Sequence, residues 1–183
     1  MASKVDKATF KKSGLDTLFV GYFISHIIFT ILFDVQCIFP REWFPKFAVD
    51  LLGQVILMLK DPFLAITVGY PQAAPTKVPN MVWFQGMVWV EAFLQLPFFF
   101  WYLNAYFTRN VNIRIPTIIY GSHVATTLVP ILAELVFNPY FEQTLEQKIM
   151  TAGIYIPYFI IPLLLVYRYS IGFEMVNVSK KRQ

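Results

Sequence analysis

Residues 81–103, MVWFQGMVWVEAFLQLPFFFWYL, form an apolar run with one carboxylate, Glu91, near its centre and Gln95 one turn later. A helix of about 20 residues rises about 30 Å, which matches the hydrocarbon thickness of a bilayer. The run is therefore predicted to span a membrane. A carboxylate at that depth is costly and is a functional-site hypothesis by default. Glu91 must either have a partner inside the membrane or carry a proton itself.

The composition of the whole chain points to the same class of protein. Of the 183 residues, 57% are hydrophobic and 14% charged, against about 45–50% and 25% in soluble domains. The chain is predicted to be an integral membrane protein with room for one compact bundle. Its single cysteine, Cys37, excludes an intramolecular disulfide framework and any CxxC redox or metal motif. No phosphate loop, basic-aromatic array or recognition helix indicates nucleic acid, and no cofactor is expected.

Three further apolar runs of similar length predict an all-α bundle of four transmembrane helices. The predicted spans are residues 15–37, 81–103, 115–137 and 149–171, which make up a membrane domain of residues 15–171. The first is expected to be an uncleaved span because it is too long for a signal peptide. Asp16 near its start suits the positive end of a helix. Pro97 is expected to kink the second half of the second span.

The loop of residues 38–80 contains KFAVDLLGQVILMLKDP, in which apolar residues recur at spacings of three and four. This pattern predicts a short amphipathic helix that lies on the membrane or caps the bundle. Ten of the 15 Lys and Arg residues fall in the N-terminal tail, the turn of residues 104–114 and the C-terminal end from Arg168. Because cytoplasmic segments are enriched in Lys and Arg, the tails of residues 1–14 and 172–183 are predicted to be cytosolic and the first loop lumenal.

Two of the spans carry acids that approach the membrane from the same predicted face. His26, Thr30 and Asp34 repeat every four residues, so they share a stripe that should face protein or a cavity. Glu91 is expected about 10 Å deeper than Asp34, a mismatch that a shift of a few residues in the helix ends would remove. If the carboxyls meet, they form a receptor for a cation or a strong hydrogen-bond donor. The alternative is that Glu91 and Gln95 only join helices by hydrogen bonds.

The two histidines allow a second pair of interpretations. His26 and His123 could form a metal site with the two acids, but their spacing is not a ligand motif, so hydrogen-bonded packing is favoured and no metal is expected. For His123, Thr126 and Thr127, hydrogen bonds to their own helix and the lining of a pocket both stay open.

Five motifs resemble the sigma-2 receptor branch of the EXPERA-domain family, which also includes the sterol Δ8–Δ7 isomerase. They are SHIIFTILFDVQCIFPREWFP, LKDPF, VEAFLQLPFF, IPTIIYGSHVATTLVPIL and YIPYFIIP, and they cover all four predicted spans in order. The resemblance implies a sterol-sized cavity in the endoplasmic reticulum membrane. In it, Asp34 would pair with the amine of a cationic ligand, and Glu91, as the neutral acid, would hydrogen-bond Asp34. The implied lining residues are Gln95, Thr127, Tyr158 and His26, and the implied structural supports are Asp61 and His123.

The chain departs from the isomerase at one position. The isomerase places a His one helical turn before the acid of the second span, whereas this chain has Met87. The expected function is therefore a non-enzymatic receptor for sterols, oxysterols and cationic amphiphiles, acting in sterol homeostasis or trafficking. Two alternatives remain: a sterol double-bond isomerase, and a trafficking partner of sterol-transport membrane proteins without a ligand of its own. A homodimer is also left open.

The C-terminal SKKRQ has Lys180 and Lys181 at the fourth and third positions from its end. It resembles a cytosolic di-lysine retrieval signal for the endoplasmic reticulum, in agreement with the predicted topology. The alternative is a solvated basic flank of the last span.

Overall fold

The computed structural model describes residues 7–78 and 80–178. Within these residues, four helical segments are long and apolar enough to cross a membrane, which confirms the predicted all-α bundle. The segments are Gly14–Cys37, Val82–Phe107, Val111–Phe137 and Leu145–Ser170. The orientation of the termini stays a prediction.

The first span consists of helix α1 (Gly14–Leu32) and a 3₁₀ turn (Asp34–Cys37). Ser13 begins α1 with a capping box, because its side chain accepts the N–H of Leu15 while the Asp16 carboxylate accepts the N–H of Ser13. These bonds satisfy backbone donors that have no partner within the helix. The stripe predicted on α1 faces inward, since His26 and Thr30 are buried.

The second span is interrupted in its middle. Helix α4 (Val82–Val90) passes into a π-helical turn (Glu91–Gln95), and α5 (Leu96–Phe107) follows. The predicted distortion at Pro97 thus occurs in the turn before the proline. Pro97 has no N–H to donate to the carbonyl four residues earlier, so the regular hydrogen-bond pattern cannot continue through this point. The irregular turn carries both polar residues of the span.

Helices α6 (Arg114–Phe137) and α7 (Leu145–Ser170) form the closest helix pair. A Cβ added at Gly121 would lie 2.7 Å from the carbonyl oxygen of Pro162. Only glycine therefore permits this approach, as is common where membrane helices pack without a hydrophobic driving force. The chain between α5 and α6 is shorter than the predicted turn, because α5 continues to Phe107 and α6 begins at Arg114.

The first loop contains the predicted amphipathic helix, α2 (Lys46–Leu59), and a second helix, α3 (Pro62–Val68). The buried face of α2 consists of Ala48, Leu52, Gly53, Ile56 and Leu59. Helix α3 was not expected from periodicity, although Asp61 followed by Pro62 is a helix-start signal. The Asp61 carboxylate caps α3 by accepting the N–H groups of Phe63 and Leu64.

Both predicted tails contribute to a two-stranded antiparallel ribbon within the described residues. Strand β1 (Lys7–Phe10) pairs with β2 (Met175–Val178), with Phe10 opposite Met175. Phe10 is buried and stacks on Phe173 at 5.6 Å. Such pairing joins the two ends of the chain, so no local pattern could predict it. The proposed retrieval residues Lys180 and Lys181 lie outside the described residues.

Candidate ligand site inside the bundle

A cavity of about 230 Å³, called here the central cavity, lies between α1, the π turn, α6 and α7, with α2 and α3 at one end. Its polar lining consists of His26, Asp34, Asp61, Glu91, Gln95, Thr127, Tyr155 and Tyr158. The structure thus brings together all six residues expected to meet a ligand, and their role in binding stays a prediction. The rest of the wall is aliphatic or aromatic, so the cavity suits an apolar molecule with one polar group.

Glu91 has partners inside the membrane. The hydroxyl of Thr30 donates to Glu91 Oε1 at 2.6 Å, and His26 Nε2 lies 3.1 Å from the same oxygen. Both side chains come from the buried stripe of α1 and cross to the π turn. A carboxyl group held by two such bonds is fixed in orientation.

The two acids differ in depth and still line the same cavity. Glu91 lies level with Thr30 and His26, which are one and two turns from Asp34. The helical path ends at Leu32, and a 3₁₀ turn that contains Asp34 follows. The hydrogen bond implied between the two carboxyl groups stays a prediction, and it would require one proton between them.

The imidazole of His26 is enclosed by aromatic rings and joined to a chain of hydroxyls. It stacks on Phe99 at 4.6 Å and meets the edge of Tyr158 at 4.6 Å. Its Nδ1 lies 3.4 Å from the Tyr120 hydroxyl, which is 2.8 Å from the Tyr22 hydroxyl. A polar chain therefore runs from Tyr22 through Tyr120 and His26 to Glu91. No pattern in the sequence distinguishes these two tyrosines, because the spans contain many other aromatic residues.

Asp61 forms part of the cavity wall as well as the cap of α3. Its Oδ1 accepts the N–H groups of Phe63 and Leu64 at 2.9 and 3.1 Å, and Oδ2 accepts the hydroxyl of Tyr155 at 3.0 Å. Burial raises the pKa of Asp61 to about 6, although these hydrogen bonds lower it. The supporting role implied for Asp61 is thus compatible with its position, and Tyr155 is a partner that the sequence did not indicate.

The remaining candidates differ in how they face the cavity. Gln95 is buried and lines it. Thr127 also lines it while its hydroxyl donates to the carbonyl of Val124 at 2.9 Å, so both interpretations of this residue describe part of its position. His123 lies outside the lining, and its buried Nε2 has no hydrogen-bond partner among the described residues. Within residues 7–78 and 80–178, no group of three or more metal-ligating side chains is placed to hold an ion.

The chain is similar to proteins of known name. The family model of the EXPERA domain, the expanded EBP superfamily, matches residues 47–169. Sigma intracellular receptor 2 of Xenopus tropicalis is 33% identical over 159 residues, which are 83% of this chain and 85% of that protein. The protein of the same name from Homo sapiens is 33% identical over 155 residues, 79% of this chain and 81% of its own length. Efficient mitochondria targeting-associated protein 19 of Saccharomyces cerevisiae is 29% identical over 163 residues, 81% and 93% of the two chains.

These similarities cover most of the membrane bundle. The family model begins at residue 47, after the α1 residues that contact Glu91, so the roles of those residues depend on the geometry of this chain. The model nevertheless covers more than half of the chain, and the two receptors exceed 30% identity over about four fifths of it. The protein is therefore a multi-pass membrane protein of the EXPERA family.

Proposed function

We propose that the protein is an intramembrane receptor that binds sterols, oxysterols and cationic amphiphiles without catalysing a reaction. The observation that carries this proposal is the pair of carboxyls, Asp34 and Glu91, in a cavity whose other walls are mainly apolar. The names of the two vertebrate relatives, which are called receptors, support it.

The carboxyl pair is suited to a cation because no described Lys or Arg neutralises it. In the part of the chain that the structure describes, no Lys or Arg forms an ion pair with Asp34 or Glu91. Charges attract strongly in a medium of low dielectric constant. A protonated amine in the cavity would therefore gain the attraction of Asp34, while Glu91 stays held by His26 and Thr30. The aromatic wall, including Tyr158, adds cation–π attraction.

The same site accommodates a neutral sterol in a different way. A sterol hydroxyl can donate to one carboxyl oxygen and accept from the shared proton of the pair. Its ring system requires the apolar wall that α4, α6 and α7 provide. Cationic amphiphiles and sterols thus share one arrangement, a polar head at the acids and an apolar body among aliphatic and aromatic side chains.

The cellular setting is also part of the proposal. The protein would reside in the endoplasmic reticulum membrane with both termini in the cytosol and take part in sterol homeostasis or trafficking, in contact with sterol-transport membrane proteins. The word intracellular in the names of the vertebrate relatives supports an internal membrane. A glycosylation-site scan with engineered acceptor sites in the first loop and in each tail would test the orientation, and modification of a tail would contradict it.

Binding of a radiolabelled lipophilic tertiary amine to the purified full chain tests the site. Replacing Asp34→Asn is expected to weaken binding by at least about tenfold, since a desolvated charge pair contributes more than ~1.4 kcal/mol. Glu91→Gln should weaken it as well, by removing the second carboxyl group of the pair. The matched control is Asp50→Asn, an exposed acid of α2 that pairs with Lys46. Unchanged affinity in both cavity variants would refute the assignment.

One observation favours a second candidate, a sterol double-bond isomerase. Met87 stands where the isomerase has its His, but the structure brings the imidazole of His26 from another helix to the same acid, Glu91. A histidine and a carboxyl group in contact can donate and accept a proton at neighbouring points of a bound substrate. Rescue of a strain that lacks sterol Δ8–Δ7 isomerase would favour the enzyme. If the His26→Gln variant no longer rescued this strain, the proton transfer would be assigned to His26 and Glu91. Absence of rescue by the unmodified protein would support the receptor.

A further inference from the structure

We infer that a long amphiphile bound in the central cavity extends past Met87 and Thr127 into a second, lipid-facing groove between α6 and α7. This inference rests on the proposed function, because the polar head of the ligand is taken to lie at Asp34 and Glu91. The inference assigns a place to the apolar body of the ligand and names the side chains between the two compartments. It also predicts that the protein distinguishes ligands by the length of their apolar chain.

The second compartment, called here the outer groove, has a volume of about 730 Å³ and is open on one side. Helix α6 contributes Ser122, Thr126 and Pro130 to it, and α7 contributes Phe159, Leu163 and Val166. Its rim faces outward, since Leu163 is 43% exposed. In a membrane, this opening would face the acyl chains of lipids.

Met87 and Thr127 line both the central cavity and the outer groove. The two compartments therefore adjoin at these two side chains. Methionine is unbranched, with three rotatable bonds, and fits irregular spaces. The Met87 side chain can thus move aside without a change of backbone. Thr127 is small, and its hydroxyl is already directed to the carbonyl of Val124.

Size gives the second reason for joining the compartments. Pockets for drug-sized ligands commonly measure about 300–1,000 Å³, whereas the central cavity measures about 230 Å³. The cavity alone has room for a polar head and a short apolar segment. With Met87 displaced, the adjoining groove supplies the missing volume.

The chemistry of the outer groove suits a hydrocarbon body rather than a head group. Its one described side-chain hydrogen bond outside Thr127 is internal, from the Thr126 hydroxyl to the carbonyl of Ser122 at 2.8 Å. The hydroxyl donor of Thr126 is thereby used within α6, and Val129, Pro130, Leu163 and Val166 are apolar. The polar groups that can orient a ligand, Asp34 and Glu91, are in the central cavity. A ligand in both compartments therefore has one expected direction, with its head inward.

The test compares two amines with the same head and different chains, N,N-dimethylhexylamine and N,N-dimethyloctadecylamine, on the purified full chain. Leu163→Trp fills the outer groove without touching the central cavity. It is expected to weaken binding of the octadecyl amine by about tenfold or more and to leave the hexyl amine unchanged. The matched control is Ile160→Trp, which adds the same ring to an α7 position that is 45% exposed and lines neither compartment. This control should bind both amines as the unmodified protein does.

The outcomes separate the inference from the function on which it rests. If Leu163→Trp leaves the octadecyl amine unchanged while Asp34→Asn abolishes binding of the hexyl amine, the groove assignment is overturned and the receptor function stands. If neither amine binds the unmodified protein, or if Asp34→Asn changes neither, the proposed function itself fails. If Leu163→Trp also loses the hexyl amine, its fold is disturbed. In that case Val129→Trp, on the α6 side of the groove, replaces it in the test. Weaker binding of the octadecyl amine with unchanged binding of the hexyl amine supports the groove assignment, and unchanged binding of both overturns it.

Discussion

The first span carries one acid near each end, and the two acids have different surroundings. At the first end, Asp16 is fully buried and lies 3.2 Å from the guanidinium of Arg168. Arg168 also donates to the carbonyls of Lys11 and Gly172. At the other end, Asp34 borders a cavity that a second acid, Glu91, also lines. The Asp16 end is called here the closed end, and the Asp34 end the open end.

The comparison shows that depth alone does not identify a functional acid in a membrane bundle. Both acids lie on one span, and the charged form of each is costly to remove from water. At the closed end the chain itself provides the counter-charge, Arg168. The β ribbon pairs the two tail segments next to this ion pair. At the open end, Glu91 is hydrogen-bonded to the Thr30 hydroxyl and the His26 imidazole. Under the proposed function, a cation from outside the chain would be the partner of the acids at this end.

The largest expected effect concerns the closed end. Arg168→Met should lower the free energy of unfolding by about 3–5 kcal/mol, because it leaves the buried Asp16 carboxylate without its counter-charge. Thermal or denaturant unfolding of the detergent-solubilised protein measures this change. The double variant Asp16→Asn with Arg168→Met should recover much of the loss, since no buried charge then remains.

The matched control for this variant is Arg41→Met, which replaces an exposed arginine of the first loop. It should change the free energy of unfolding by less than about 0.5 kcal/mol. If Arg168→Met were as mild as the control, the closed end would not depend on its ion pair. Amine binding to Arg168→Met, measured well below its melting temperature, should stay unchanged, because the variant does not alter the open end.

The sequence predicted features that depend on local patterns. Long apolar runs gave the four spans, spacings of three and four gave α2, and the charges within apolar runs singled out Asp34 and Glu91. Thr30 lay on the predicted stripe, but its bond to Glu91 requires knowledge of which face of the second span it meets. The roles of Gln95, Thr127 and Tyr158 came from family resemblance rather than from periodicity.

Features that depend on distant pairing were not predictable in this way. Asp16 was explained by the positive end of α1, and the capping box agrees with that, but its partner Arg168 is 152 positions away in sequence. The β ribbon joins residues that are even farther apart in sequence. The position of the irregular turn in the second span also differed, because proline disturbs the turn before it. In each case the missing information is which segments become neighbours.

A second prediction concerns the pH dependence of the open end. Burial raises the pKa of Asp61 from an ordinary value of 3.8 to about 6. Between pH 4 and pH 6, Asp61 is protonated in the folded chain and ionised in the unfolded chain. The free energy of unfolding therefore increases as the pH falls through this range. Above pH 6 the folded chain carries the full cost of burying the ionised acid. Asp61→Asn removes this titration and keeps a good helix cap. Its stability relative to the unmodified protein should rise by up to about 3 kcal/mol from pH 4 to pH 7.

The measurement is unfolding of both proteins across this pH range, with Asp50→Asn as the exposed control. Asp50 is half-exposed and pairs with Lys46, so its replacement should give a difference that is nearly independent of pH. If the difference for Asp61→Asn were equally flat, Asp61 would resemble Asp16 of the closed end, whose charge is paired within the chain. A rise with pH would show that the open end holds its acids without complete compensation.

The smallest expected effect tests whether the tyrosine chain belongs to the open end. Tyr120→Phe removes the hydroxyl that lies between Tyr22 and His26 and should cost about 1 kcal/mol of stability. If the hydrogen-bonded tyrosine hydroxyls orient the imidazole of His26, amine affinity should also fall by about two- to fivefold, because His26 would turn away from Glu91. Tyr167→Phe, at an exposed position of α7, is the control and should change neither quantity. Loss of stability with unchanged affinity would mean that the contacts of Phe99 and Tyr158 hold the imidazole. Tyr22 and Tyr120 would then stabilise the bundle without contributing to the site.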